Sequence, residues 1–202
     1  MDKLNKFIVF EGCEGVGKSY QIKKLVEYLK KTGQDTIVTR EPGGTPESEA
    51  TREILLNYPM PPLAEAYLFA AARISHIDKV IMPALQQGKI VICDRFVDSS
   101  IAYQGYARGL GRELVEQINY YALENCMPDT VIFLDLMPKD AWRKKSGDRL
   151  EQEGELFHSK VYQGFSELAS SYSRFVTVVP DVDKEKTLQA IIDTLKERGI
   201  IS

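Results

Sequence analysis

No apolar run in this 202-residue chain approaches the ~18 residues of a membrane span, and the polar start Met1-Asp2-Lys3-Leu4-Asn5-Lys6 has no signal-peptide pattern. Cysteine is scarce. Cys13, Cys93 and Cys126 lie far apart with no C-x-x-C pair, and the two histidines add no metal-ligand cluster. That excludes a disulfide scaffold and a zinc site and reads as reduced thiols in a cytoplasmic protein. No excess of one charge is present either: 26 Lys and Arg stand against 29 Asp and Glu, a net −3. General attraction to nucleic acid polymers is therefore not expected, and basic residues that matter should be local to a site. Repeats, low-complexity segments and linkers are lacking, so residues 1–202 read as one domain with a sizeable core.

What is present begins with Gly12-Cys13-Glu14-Gly15-Val16-Gly17-Lys18-Ser19, a complete G-x-x-x-x-G-K-[ST] loop. It follows an apolar strand, Phe7 to Phe10. It precedes a helix, Gln21 to Lys31, with Ile22, Leu25, Val26 and Leu29 on one face. In that context backbone N–H groups and the helix N-terminus cradle phosphates, Lys18 reaches the β- and γ-phosphates, and the Ser19 hydroxyl sits on Mg²⁺.

Further apolar runs at Thr36–Thr39, Ile90–Cys93, Thr130–Leu134 and Phe175–Val179 show little alternation, as strands covered on both faces do. Helical patterns separate them: Glu47–Leu56, Leu63–Gln87, Arg112–Asn125, Pro138–Lys145, Glu155–Tyr172 and Lys184–Arg198. Gly88 should stop the long one, and Pro83 should kink or break it. The expected fold is α/β: a five-stranded parallel sheet with helices on both faces, three layers in all. The polar stretch 143–155 reads as a solvated face or a short lid.

A phosphate loop alone does not choose a function. The N-K-x-D and D-x-x-G motifs of GTPase switches are missing, which favours a small kinase. The third strand ends in Asp94-Arg95. An Asp at that tip can hold Mg²⁺ through water or orient an attacking group, and Arg95 can pair with phosphate; a structural Asp–Arg pair is the alternative. Asp98-Ser99-Ser100-Ile101-Ala102-Tyr103-Gln104-Gly105 puts hydroxyls and an amide beside it. Phe69 and Arg73, at i and i+4, suit an aromatic base stacked on one side and hydrogen-bonded on the other, although Phe69 also fits a core position. Arg73 on an apolar face needs an acidic or phosphate partner. Thr39-Arg40-Glu41-Pro42-Gly43-Gly44-Thr45 is an open turn at the ligand edge of the sheet, and Arg52 either faces the same crevice or is a surface arginine.

These segments together resemble the bacterial thymidylate kinases, within the P-loop nucleoside monophosphate kinases. The markers are the loop, the turn Thr-Arg-Glu-Pro-Gly-Gly-Thr, Leu-Phe-Ala-Ala-Ala-Arg, the run Cys93 to Gly109, and Asp-Arg-Leu-Glu-Gln-Glu from Asp148. The resemblance covers nearly the whole chain and implies a P-loop NTPase fold and phosphorylation of dTMP to dTDP with ATP and Mg²⁺. It places Gly12 to Ser19 on the ATP phosphates, Glu14 near the dTMP sugar, and Arg52 and Arg95 on its phosphate. Phe69 would stack on thymine with Arg73 bonding it. Ser100 and Gln104 would read the base edge and Tyr103 would pack under the deoxyribose. Glu41 belongs to the motif without a defined role, and Asp94 serves the Mg²⁺–phosphate region with Ser19. The resemblance is to the branch that supplies its transition-state arginine from the lid, with Arg149 as the expected cation and Arg143 next. It further implies a homodimer, for which Leu63–Gln87 offers a surface. A kinase for deoxynucleosides or another nucleotide on the same scaffold, and a regulatory module without chemistry, are the alternatives.

Overall fold

The structure is a computed structural model that describes residues 6–137 and 148–202. The helix expected over Pro138–Lys145, and with it Arg143, lies outside the described residues. Five parallel strands, β1 (Phe7–Glu11), β2 (Thr36–Arg40), β3 (Ile90–Asp94), β4 (Thr130–Leu134) and β5 (Phe175–Val178), form one sheet in the order β2-β3-β1-β4-β5. Val9 pairs in register with Cys93 on one side and Val131 on the other. β1, β3 and β4 are buried almost throughout, as their unbroken apolar runs require. The edge strands β2 and β5 are the exceptions, and β5 leaves Thr177 exposed. β2 leaves Val38 half exposed, so neither edge strand is covered on both faces as expected.

The helices are α1 (Lys18–Lys31), α2 (Pro46–Asn57), α3 (Pro62–His76), α4 (Met82–Gln86), α5 (Val97–Ser100), α6 (Arg112–Ile118), α7 (Tyr120–Asn125), α8 (Glu155–Ser171) and α9 (Lys184–Glu197). The helix that starts with α3 passes Pro83 without breaking. A π-helical stretch, Ile77–Ile81, precedes Pro83 and rearranges the ladder in which the proline lacks a donor. Gly88, at φ 76°, ends it as expected. A second π stretch, Ile101–Ala107, continues α5 where the sequence pattern predicts no helix. It packs along α8, where a side chain on Gly164 would meet Ala102 Cα at 3.0 Å. The helix expected over Arg112–Asn125 divides at Asn119 into α6 and α7.

Candidate active site

A cavity of about 360 Å³ opens where the C-terminal ends of β1, β2 and β3 meet, the edge at which α/β sheets bind ligands. Its walls include Glu14, Gly15, Gly17, Lys18 and Ser19 from the phosphate loop, Glu41 after β2 and Arg52 from α2. Phe69 and Arg73 of α3 line it too, as do Asp94 and Arg95 at the β3 tip and Ser100, Tyr103 and Gln104 beyond. Gly12, Cys13 and Val16 complete the loop without lining the cavity. Cys13 is buried, and burial pushes its thiol up to about 11, which keeps it protonated near neutral pH.

The loop turns tightly because Gly12, Gly15 and Gly17 all take positive φ. Lys18 is buried, and its ammonium donates to the Gly12 and Cys13 carbonyls at 3.1 and 2.8 Å. Burial first, and the Arg95 charge second, lower its pKa. Ser19 Oγ lies 3.4 Å from Asp94 Oδ2, while Asp94 Oδ1 is buried with no hydrogen-bond partner among the described residues.

Arg95 is the one non-glycine described residue at positive φ, 70°. Such a backbone is costly for a side chain and persists only where its surroundings enforce it. Fully buried Glu11 does so, accepting the Phe96 and Ser99 N–H groups at 2.9 and 3.1 Å and the Ser99 hydroxyl at 2.6 Å. Burial, only partly opposed by Arg95, raises Glu11 to about 7. The Arg95 guanidinium donates to Ser99 Oγ at 3.0 Å and to Glu14, and it lies 5.2 Å from the centre of the Tyr103 ring. Tyr103 also donates to Glu14, at 3.2 Å. Burial works against ionisation of Glu14, but Arg95 and Lys18 overcome it and hold the carboxyl at about 2.

Arg73 finds the acidic partner its place on an apolar face demands. Its Nε donates to Glu41 Oε2 at 2.7 Å, and its Nη groups donate to Asn119, to Ser100 Oγ at 3.0 Å and to the Phe96 carbonyl at 3.3 Å. Glu41 thereby gains a defined place, held on its other side by His76 Nδ1 at 3.1 Å. His76 packs so close to Gly44, at φ 91°, that a Cβ there would lie 2.5 Å from its ring. Arg52 donates to the Pro42 carbonyl at 2.9 Å.

Gln104 Nε2 donates to Glu65 Oε1 at 2.8 Å, and its buried Oε1 has no partner among the described residues. Arg149 differs from expectation. It does not line the cavity; it donates to Glu65 Oε2 at 2.5 Å and twice to the Leu55 carbonyl, at 3.2 and 2.9 Å. Buried Glu65, which Arg108 also pairs at 3.4 Å, takes Arg149 as a second cationic partner. From the polar stretch, Asp148, Leu150 and Glu151 reach the cavity wall instead.

Glu11, Glu65, His76 and Asn119 belong to no motif that the sequence marks. Glu65 has a legible signal all the same, since Glu65, Phe69 and Arg73 repeat at i, i+4 and i+8 on one helix face.

A parallel sheet with a phosphate loop after its first strand and an Asp at the tip of its third defines a P-loop nucleotide-binding protein. The family model for thymidylate kinase matches residues 10–191. A thymidylate kinase of Finegoldia magna is 43% identical over 202 residues, covering 96% of this chain and 100% of its own. One from Thermoanaerobacter sp. (strain X514) is 45% identical over 198 residues, covering 95% and 98%. The crystal structure of thymidylate kinase from Ehrlichia chaffeensis superposes with a TM-score of 0.80 at 33% identity, covering 94% of this chain and 98% of that one. The chain belongs to the thymidylate kinase family.

Proposed function

We propose that the protein transfers the γ-phosphoryl group of ATP to the phosphate of dTMP, giving dTDP and ADP, with residues 1–202 acting as one catalytic unit. The observation that carries the acceptor side is Gln104. Its Nε2 is committed to Glu65, so it offers a buried, unpartnered oxygen in the cavity that Phe69 also lines. That oxygen matches the N3–H of thymine, with Phe69 against the ring and Arg73 and Ser100 at its edge.

In phosphoryl transfer the protein positions and neutralises. A dTMP phosphate oxygen is the nucleophile and needs no general base. Lys18 exchanges its loop carbonyls for ATP phosphate oxygens, Arg95 and Arg52 hold the acceptor phosphate, and Glu14 and Tyr103 take the sugar. Asp94 and Ser19 offer oxygen ligands suited to Mg²⁺, and the unpartnered Asp94 Oδ1 fits that use. Bound there, Mg²⁺ would add positive charge at the phosphates.

We place the enzyme in the cytoplasm, where its nucleotides are, as a homodimer. The exposed Leu63, Tyr67 and Ile74 of α3 and Tyr120 and Tyr121 of α7 provide apolar area for that contact. ADP release with ATP, Mg²⁺ and one acceptor at a time tests the reading. Turnover should strongly favour dTMP over dCMP, dGMP and thymidine. Turnover with thymidine but not dTMP would move the protein to the nucleoside kinases.

A further inference from the structure

Glu65 is a fully buried acid on the face of α3 that also carries Phe69 and Arg73. Four contacts converge on its carboxylate or on what grips it. Gln104 Nε2 reaches Oε1 at 2.8 Å, Arg108 Nε reaches the same oxygen at 3.4 Å, and Arg149 Nη2 reaches Oε2 at 2.5 Å. Arg108 is itself held by Glu153 at 2.6 Å, from the same polar segment as Arg149. Glu65 does not line the cavity; Gln104 does.

An amide has two faces that are nearly identical in shape and opposite in hydrogen-bonding sense. A carboxylate gripped by two guanidinium groups has only lone pairs to offer. Gln104 can therefore meet it with NH₂ alone, and the carbonyl oxygen is left as the other face. We propose that Glu65 is the positioning residue for base selection: it fixes the Gln104 amide in one orientation, so that the pocket accepts a pyrimidine that carries a hydrogen on N3 and rejects one with a bare N3 lone pair. Arg149 and Arg108 serve by immobilising Glu65, which gives the segment around Asp148–Glu153 a place in acceptor selection. The proposal rests on Gln104 reading the base.

Replacing the acid by its amide reverses the hydrogen-bonding sense that Gln104 meets. In Glu65→Gln the shorter contact, to Arg149, takes the remaining oxygen, and the new NH₂ then faces Gln104. Gln104 must turn its oxygen toward position 65 and its NH₂ toward the ring, which suits cytosine. The exchange variant Glu65→Gln/Gln104→Glu moves the carboxylate one step along the chain of contacts. The amide introduced at position 65 would then donate to the carboxylate introduced at position 104, whose second oxygen again faces the ring as an acceptor.

The test is kcat/KM for dTMP and dCMP in the wild type, Glu65→Gln, the exchange variant and Gln104→Leu, with folding checked by thermal melting. Glu65→Gln should lower the dTMP-to-dCMP preference by about 10-fold or more, leave the KM for ATP unchanged, and be repaired by the exchange. A merely structural role for Glu65 would not be repaired by a carboxylate at position 104. If Glu65→Gln fails to fold, the exchange variant alone decides: retained dTMP preference supports the proposal and lost preference overturns it. An unchanged preference in folded Glu65→Gln overturns it as well, with base reading intact if Gln104→Leu still raises the KM for dTMP. If Gln104→Leu leaves that KM unchanged, base reading itself fails and the proposal falls with it.

Discussion

Glu41 Oε2 accepts the Arg73 Nε–H at 2.7 Å where neither side chain is more than a few per cent exposed. The pair joins the turn after β2 to α3 and fixes the guanidinium at the cavity wall. Removing one member of a buried ion pair leaves the other charge uncompensated. Glu41→Ala should therefore destabilise the fold by about 3 kcal/mol and raise the KM for dTMP. Urea denaturation and steady-state kinetics check this together. A loss below about 1 kcal/mol would show that Asn119 and Ser100 suffice to hold Arg73.

Lys18 is buried and already hydrogen-bonded within its loop. Its charge is preorganised for the transferred phosphoryl group. Lys18→Ala should lower kcat by about 100-fold or more, roughly 3 kcal/mol of transition-state stabilisation. A folded variant that keeps more than about a tenth of the wild-type kcat would move the catalytic charge elsewhere.

Phe69 is nearly buried yet lines the cavity. Phe69→Ala should mainly raise the KM for dTMP, by about 10-fold or more, with the KM for ATP little changed. An unchanged dTMP KM in the folded variant would return the ring to the core.

Arg149 contacts the end of α2 and Glu65 rather than the phosphate loop. Arg149→Ala should therefore raise the KM for dTMP more than that for ATP. A transition-state arginine would instead show a fall in kcat with both KM values held, and kinetics in each substrate separates the two roles.

Glu14 has its folded pKa depressed from 4.5 to about 2 through Arg95 and Lys18, against the opposing effect of burial. A depressed acid contributes stability that is fully present above its unfolded pKa and is lost as pH falls through the folded one. The stability difference between wild type and Glu14→Gln should hold steady above pH 4.5 and shrink as pH approaches about 2. Denaturation midpoints across that range read it directly. A difference that does not change with pH would mean that the carboxylate is not held by those cations.

The strands are legible because buried parallel strands are written as unbroken apolar runs, and each ends within one residue of the expected position. The phosphate loop is legible because its glycines and lysine are close in sequence. Less legible are features set by partners far along the chain. The helical pattern is interrupted at Asn119, whose side chain accepts from Arg73, and nothing local announces that contact. The π stretch at Ile101–Ala107 does not carry the 3.6-residue period that marks an α-helix. The motif around Arg149 points it to the phosphates, whereas the buried carboxylate it meets lies 84 residues away in sequence.

The walls of the cavity come from separate stretches of chain between residues 14 and 151, on either side of the three strands that they cap. The phosphate loop and the base-pocket residues Phe69, Arg73 and Gln104 come from distant parts of the chain, so simultaneous binding of both nucleotides reports that the strands carrying them are assembled together. A bisubstrate ligand bridging the two halves would act as a clamp on the native state, raising the unfolding temperature by mass action more than either half alone.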